Sequence, residues 1–497
     1  MLDEFYYLAC ARRLDWGFVD HPALYPALLR LNVALAGDSI ASIRLLPALA
    51  GGVGVFGVGC VAARLGGGRF AQVVSALAMI AFPLGLGVFT FASMNCLEPL
   101  FWTAALWLLA ERCRSGDPRY WIWLGLLFGV ALNSKHTIGL LIAVTVLVGA
   151  LTPLRRDLLS RWPWLGAAIA AGLALPNLYW QWSHDWASLE FYRNITASGN
   201  AWTSPLLVAI DQLIISNPGL LPVWGAGLFM LLRGGGGRSS LRPVGQVCVV
   251  LLALALFGGQ SRPDRVAGVY PLLFAAGAVQ IEAARRRGLA RGAAAASLGL
   301  GGAFIVVGAL AGAPVLAPER VHAMLGEQDT DISEEVGRSR LPITLAHRTG
   351  WPEFMAEVDR VVASLAPDVR RDFVFLSDDY GHAGALELWG PERGYPAVYS
   401  PHNSGWLWGP ADDVRPRAVV AIGIEEAFLR RSFARVEEVG RVRCAYCNLW
   451  LDDVPVWLAI EPARPLAESW PELKRYGNAG RKLRMLRAQQ EAAPQRR

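Results

Sequence analysis

The stretch IRLLPALAGGVGVFGVGCVA, residues 43–62, carries a single charged side chain, Arg44, and is otherwise built from apolar residues, glycine and proline. A helix of that length reaches about 30 Å, the thickness of a bilayer's hydrocarbon core. Similar apolar runs recur at 70–89, 137–151, 244–258 and 293–316, several of them interrupted by Gly or Pro, as membrane helices tolerate. The composition agrees: 54% of the 497 residues are apolar and 18% charged, where a soluble chain has about a quarter charged. The fold class this implies is a polytopic α-helical membrane domain of about ten spans. A net charge of +6 could suggest a nucleic-acid binder, but the basic residues fall as loop clusters between apolar runs, which is a topology signal and not a phosphate track.

Counting those clusters orients the chain. The loops with Arg64 and Arg69, residues 112–119, 155–161, 233–242 and 285–291 are basic and read as cytoplasmic. Alternating spans then put residues 1–40, 93–98, Lys135 with His136, 180–200, 261–265 and everything after about 318 on the other side. The chemically unusual residues all fall there, although none of them was used to find the spans.

After residue 318 charge rises and apolar runs shorten, with FVFL at 373–376 and AVVAI at 418–422 reading as buried strands, and 351–365 and 425–433 as helices. This predicts a small soluble α/β domain over 318–481 on the outer surface, behind a membrane domain over 1–317 whose outer loop is 1–40. The tail 482–497 reads as disordered and the run Gly234 to Gly237 as a flexible turn. Cys10, Cys60, Cys96, Cys113 and Cys248 lie singly in or beside apolar stretches and read as packing residues. Cys444 and Cys447 form a C-x-x-C, a weak zinc case without a second pair of ligands and a fair disulfide case in an oxidising compartment.

Four constellations carry candidate chemistry. Asp3-Glu4-Phe5-Tyr6-Tyr7 is followed by Asp20-His21-Pro22; on an amphipathic surface helix Asp3 and Tyr7 share a face, although a solvated interfacial helix with belt tyrosines would look the same. Ser93 to Pro99 includes Asn95 and ends in Glu98-Pro99, a helix opening that favours an acid electrostatically, while Lys135 in Asn133-Ser-Lys-His136 supplies a cation on the same side. The cation would suit a lipid phosphate or a carboxylate; a snorkelling anchor is the plain alternative. Asn177, Trp180, Trp182, His184, Asp185 and Trp186 suit a sugar site, where indole faces meet pyranose C–H groups, or equally an aromatic belt. Finally, Arg262 and Arg265 place guanidiniums on the outer side, against the charge trend, as phosphate binding would require. A divalent cation held by Asp20 and His184, with His21 and Glu98 nearby, is a further expectation on scattered ligands. In the soluble region, residues 379–384 and 400–410, with Tyr380 and Asn403, read as loops, either packing turns or an acceptor-recognition surface.

In this order and spacing the motifs resemble the bacterial members of glycosyltransferase family 39, relatives of the protein O-mannosyltransferases and the aminoarabinose transferases, over nearly the whole chain. The resemblance implies a C-type glycosyltransferase fold and a polyprenyl-phosphate sugar as donor. It implies that Asp3 is the general base supported by Glu4, that Asp20, His21 and Glu98 complete the pocket, and that Lys135, Arg262 and Arg265, with or without a divalent cation, hold the departing phosphate. Tyr7, Asn95, Trp180, His184, Asp185, Trp186, Tyr380 and Asn403 become sugar or acceptor contacts. Where many relatives have two prolines after Asp-His, this chain has Pro22-Ala23. Relatives also carry a span ahead of the acidic pair, so one is expected upstream of Met1; no signal peptide is visible.

The function these readings imply is inverting transfer of a sugar from polyprenyl phosphate to an acceptor hydroxyl of a protein, lipid or glycan, outside the cytoplasmic (inner) membrane. A secondary transporter or lipid flippase is the rival from another class; it would favour inverted repeats and mid-membrane charges, and neither is visible. A catalytically inactive truncated envelope protein is the third reading.

Overall fold

The computed structural model describes residues 1–197, 204–233, 240–258, 263–284, 286–331 and 336–477. The glycine run at 234–237, Arg262 and the tail 482–497 lie outside them. The chain divides into two compact units: one comprises His21–Ser183 and Ala201–Ala309, the other Met1–Asp20, His184–Asn200 and Leu310–Arg497.

The first unit is helical around an apolar core that includes Phe82, Trp102, Tyr270 and Phe274. Among the described residues, two helices, Ile40–Arg64 and Arg287–Leu310, are long and apolar enough to cross a membrane, and the number rises to four if each of two bent pairs counts as one span. About ten were expected, a number that this count does not confirm, and two of the apolar runs are followed or interrupted by a break in the helix. Phe82 precedes Pro83, and the proline ring pushes it to an extended backbone (φ −80°, ψ 114°), so the run 70–89 forms the two helices Arg69–Ile80 and Pro83–Val88. The run 137–151 likewise ends at Thr152, where Ile138–Leu151 and Pro153–Leu159 meet at a 100° bend. Where helices do pack, they approach closely: a Cβ on Gly277 would run into the Val223 carbonyl, and one on Gly227 into that of Leu273, so Leu221–Arg233 and Tyr270–Glu282 meet backbone to backbone.

The basic loops of this unit are tied to each other. Arg112 grips Asp157 with two N–H groups, one at 2.7 Å, and the Trp121 indole donates to the same carboxylate at 2.7 Å. Arg114 donates to the Arg64 carbonyl, and the Arg291 guanidinium lies 5.2 Å from the centre of the Phe70 ring.

The second unit holds two sheets. β1 (Gln328–Asp331) and β2 (Val336–Ser339) form an antiparallel pair. β3 (Phe373–Ser377), β4 (Val398–Tyr399), β5 (Ala418–Ile422), β6 (Phe433–Val442) and β7 (Val454–Pro462) form a mixed sheet in the order β4-β3-β5-β7-β6. β3 runs parallel to β4 and β5, and every residue of β3 and β5 is buried, which is why both read as unbroken apolar runs. Helices Trp351–Ser364 and Glu426–Ser432 fall where the periodicity put them.

Two expectations change. Residues 380–384 are not a loop: Asp379 caps a helix, Tyr380–Trp389, by accepting from the Gly381 N–H at 2.7 Å. Its glycines serve contact, because a Cβ on Gly381 would collide with Leu2 and one on Gly384 would come within 2.7 Å of Phe5 Cβ. The helix Leu2–Arg12 lies against that surface, with Phe5 edge-on between Trp351 and Trp389 at 4.6 and 5.1 Å. It is therefore not an amphipathic surface helix. From Leu2 to Ala11 only Asp3 is not buried, and Tyr7 is 5% exposed.

Candidate functional site

The helix Leu2–Arg12 brings Asp3 to a cluster within the second unit. The Tyr380 hydroxyl donates to Asp3 Oδ1 at 3.0 Å. One turn on, the Tyr6 hydroxyl donates to Asp20 Oδ1 at 2.5 Å and lies 2.8 Å from the Ser404 hydroxyl, which also accepts from the Val19 N–H at 3.0 Å. The two phenol rings stack with centroids 4.6 Å apart. Asp3 and Asp20 thus stand near one another, each held by a tyrosine, with Asp3 still partly exposed. Burial raises the Asp3 pKa; the nearby His347 and the Tyr380 hydrogen bond oppose that, and the Asp20 charge adds to it. A carboxylate held in this way keeps its proton to higher pH than an ordinary Asp and, once ionised, accepts a proton readily. Glu4 points elsewhere: it is fully buried and meets the Met1 nitrogen at 2.6 Å.

Tyr380 is itself positioned from below. Its ring stacks on His402 at 4.4 Å, and its backbone N–H donates to His402 Nδ1 at 3.4 Å. His402 is wholly buried and its pKa is lowered to about 4, first by burial and then by the Arg475 charge, against the pull of Asp379 at 3.5 Å. Arg475 holds Asp378 Oδ2 at 3.1 Å, and its carbonyl accepts from the Asn403 N–H at 2.8 Å. Asn403 adopts a left-handed backbone (φ 49°), is buried, and its side-chain oxygen accepts from the Gly477 N–H at 2.9 Å. It thus braces this loop internally.

In the first unit Glu98 opens the helix Glu98–Ser115. Its carboxylate accepts from Lys135 Nζ and from the Thr137 hydroxyl, each at 2.5 Å, with both ionic partners 12% exposed. An ammonium has three N–H groups, so one bond to Glu98 fixes Lys135 and leaves donors for another anion. His21 is buried, with Nδ1–H donating to the Pro22 carbonyl at 2.9 Å. His136 faces the Asn177 side-chain oxygen at 3.3 Å. Asn95 is half-buried in the turn Met94–Cys96, and Arg265 half-buried in Pro263–Val269.

The aromatic segment divides. Trp180 is buried at the end of Arg161–Ser183, whereas His184 is half-buried and Asp185 and Trp186 are exposed, both with left-handed backbone (φ 52° and 57°). Among the described residues, the one group of three metal-type side chains close enough to share an ion is Cys444, Cys447 and Asp452, and Asp20 and His184 are in no such group. The two cysteines are bonded to each other as a disulfide, so their sulfurs are not thiolate ligands.

Sequence reasoning paired Asp3 with Tyr7, and missed Tyr6, Ser404, His347 and His402. Tyr6 had a signal: it lies three residues after Asp3, which on a helix is as good a neighbour as four. Ser404 and His402 lie in the segment 400–410 that stood out as a loop but were given no role there, and His347, more than 300 positions away, had no signal.

Residues 20–180 match the family model described as dolichyl-phosphate-mannose-protein mannosyltransferase. Among solved structures, the chain is similar to ArnT from Cupriavidus metallidurans in the apo state, at 15% identity and a TM-score of 0.58, covering 92% of this chain and 93% of that one. It is also similar to the same protein bound to undecaprenyl phosphate, at 14% identity, a TM-score of 0.58 and 92% coverage of both. No curated protein matches. The chain shares the fold of ArnT.

Proposed function

We propose that this chain is an inverting glycosyltransferase that takes a sugar from a polyprenyl-phosphate carrier and places it on an acceptor hydroxyl. The observation that carries the reading is the likeness, over 92% of the chain, to an ArnT crystallised with undecaprenyl phosphate, joined to the mannosyltransferase family match over residues 20–180. Extracytoplasmic placement of residues 1–20 and of the C-terminal region, at the inner membrane, is supported by the basic loops, which are tied to each other by Arg112–Asp157, Arg114–Arg64 and Arg291–Phe70.

In this reading Asp3 accepts the proton of the acceptor hydroxyl as the oxygen forms its bond to the anomeric carbon. The bond from that carbon to the phosphate oxygen breaks on the opposite face, and the electron pair leaves with the polyprenyl phosphate. Lys135, oriented by Glu98, meets the negative charge that develops there, with Arg262 and Arg265 as further cations. Asp20, tied to Tyr6, stands beside Asp3, and its charge favours the protonated form of Asp3 as the proton arrives.

The test is release of radiolabel from polyprenyl-phosphate sugars by membranes containing the protein. Asp3→Asn is expected to lower transfer about a thousandfold, within the range for loss of a general base. Undiminished transfer by Asp3→Asn rejects the base, and absence of transfer from every donor rejects the class.

A further inference from the structure

The connection between β6 and β7 carries the Cys444–Cys447 disulfide, which closes residues 444–447 into a ring. That ring packs on the segment 345–350, which leads into the helix Trp351–Ser364. The Thr349 hydroxyl donates to the carbonyl of Tyr446, inside the ring. Gly350 has a left-handed backbone (φ 85°), and a Cβ there would lie 2.5 Å from Cys447 Cβ and 3.0 Å from Cys444 Sγ, so the disulfide and the segment fit together only with glycine. Just beyond the ring, Trp450 is fully buried, and its indole lies 6.0 Å from the His347 imidazole. The same segment is joined to the helix that bears Asp3. The Trp351 indole donates to the His347 carbonyl at 3.3 Å, and its ring meets Phe5, two residues after Asp3, at 4.6 Å.

We infer that the Cys444–Cys447 disulfide is a positioning element for Asp3: by holding the segment 345–350 it keeps His347 and the Trp351 contact to Phe5 in place around the base. The inference rests on the transferase reading and adds to it a dependence of the base on an oxidised C-x-x-C. The bridge fixes the two cysteine Cα atoms 5.8 Å apart, which leaves the Tyr446 carbonyl between them little room to move away from Thr349. Burial raises the Asp3 pKa; of the groups around it, His347, the Tyr380 hydroxyl and the Met1 nitrogen oppose that, and Asp20 adds to it. His347 is the member of that set that sits on the segment under the disulfide ring. Without the crosslink, Tyr446 and Cys447 lose their fixed place against Thr349 and Gly350. His347 then drifts, and Asp3 loses a charge that favours its ionised form.

The test uses the full chain in lipid nanodiscs, with label release from polyprenyl-phosphate sugars followed against pH and expressed per folded molecule. Cys444→Ser with Cys447→Ser should lower turnover about tenfold, within the loss that misplacement by under about 1 Å brings, and move the ascending limb to higher pH. The donor KM should not change, since Lys135 and Arg265, the residues assigned to the donor phosphate, belong to the other unit. His347→Gln with the disulfide intact should move the limb in the same direction, and adding it to the cysteine pair should move the limb no further. Thr349→Val keeps the disulfide and removes the hydroxyl that donates to Tyr446; it should give a smaller shift of the same sign, and it carries the test if the cysteine pair does not fold. An unmoved limb in the folded variant, or shifts that add, would overturn the inference. The Asp3 titration is also read directly, by NMR of aspartate isotopically labelled at its carboxyl and assigned by the signal lost in Asp3→Asn. A titration that moves with the cysteine pair, in a protein that releases no label from any donor, keeps the positioning inference and rejects the transferase reading. Release with a titration indifferent to the cysteine pair rejects the positioning inference alone.

Discussion

The Tyr380 hydroxyl donates to the Asp3 carboxylate across 3.0 Å, a bond between residues 377 positions apart in the chain. It favours the ionised carboxylate against burial, which raises the pKa. Tyr380→Phe keeps the ring that stacks on His402 and removes only the donor. The Asp3 pKa should then rise further, so the ascending limb of the transfer rate against pH moves to higher pH while the plateau above it changes little. An unshifted limb would mean that Asp3 is not the group whose ionisation the rate reports.

Glu98 and Lys135 lend themselves to a double substitution. Lys135→Met leaves a carboxylate of 12% exposure without its cation and should cost about 3 kcal/mol of stability, read as a lower unfolding temperature in detergent. Adding Glu98→Gln removes the stranded charge and should restore most of that stability. Transfer should stay lost in both proteins if Lys135 meets the donor phosphate; its return in the double variant would make the lysine a structural partner only.

His402 predicts an acid-side loss of stability. Its folded pKa of about 4 lies below the ordinary value of 6.5, so between those two pH values the unfolded chain binds a proton that the folded chain refuses. Stability from this residue is complete above about pH 6.5 and declines by about 3 kcal/mol as pH falls to 4. His402→Gln should flatten that part of the curve when unfolding temperature is measured against pH.

Arg112, Asp157 and Trp121 form a tie remote from the acid cluster in sequence. Arg112→Leu strands Asp157, which is 9% exposed, and should lower stability by about 3 kcal/mol, while Trp121→Phe removes one hydrogen bond to a charge and should cost about 2. Transfer per folded molecule should hardly change. A large fall in turnover of the protein that remains folded would assign this tie a role in the reaction.

Much of this was legible in the residues themselves, where local chemistry decides. β3 and β5 announced themselves because strands buried on both faces are unbroken apolar runs, and Glu98-Pro99 announced a helix start. Lys135 could be paired with Glu98 because both fell beside span ends on one side of the charge alternation. The run 70–89 was less legible: hydropathy averages across Pro83, whereas the backbone turns there. The setting of Asp3 was hidden for a different reason. Its partners Tyr380, His347 and, through Tyr6, Ser404 come from the far end of the chain, and no periodicity links residue 3 to residue 380. The segment 380–384 looked like a loop because its glycines were read for backbone freedom, when their role is to let Leu2 and Phe5 approach.

That close approach fixes an order of events during synthesis. The glycine-faced surface that seats the helix bearing Asp3 is translated some 380 residues after that helix. At about 5–20 residues per second, tens of seconds pass in which the carboxylate exists without its tyrosine, its histidine neighbour or its burial. A nascent chain therefore carries an ordinary aspartate at position 3, and the reactive one arises only when the helix Tyr380–Trp389 seats against Leu2–Arg12.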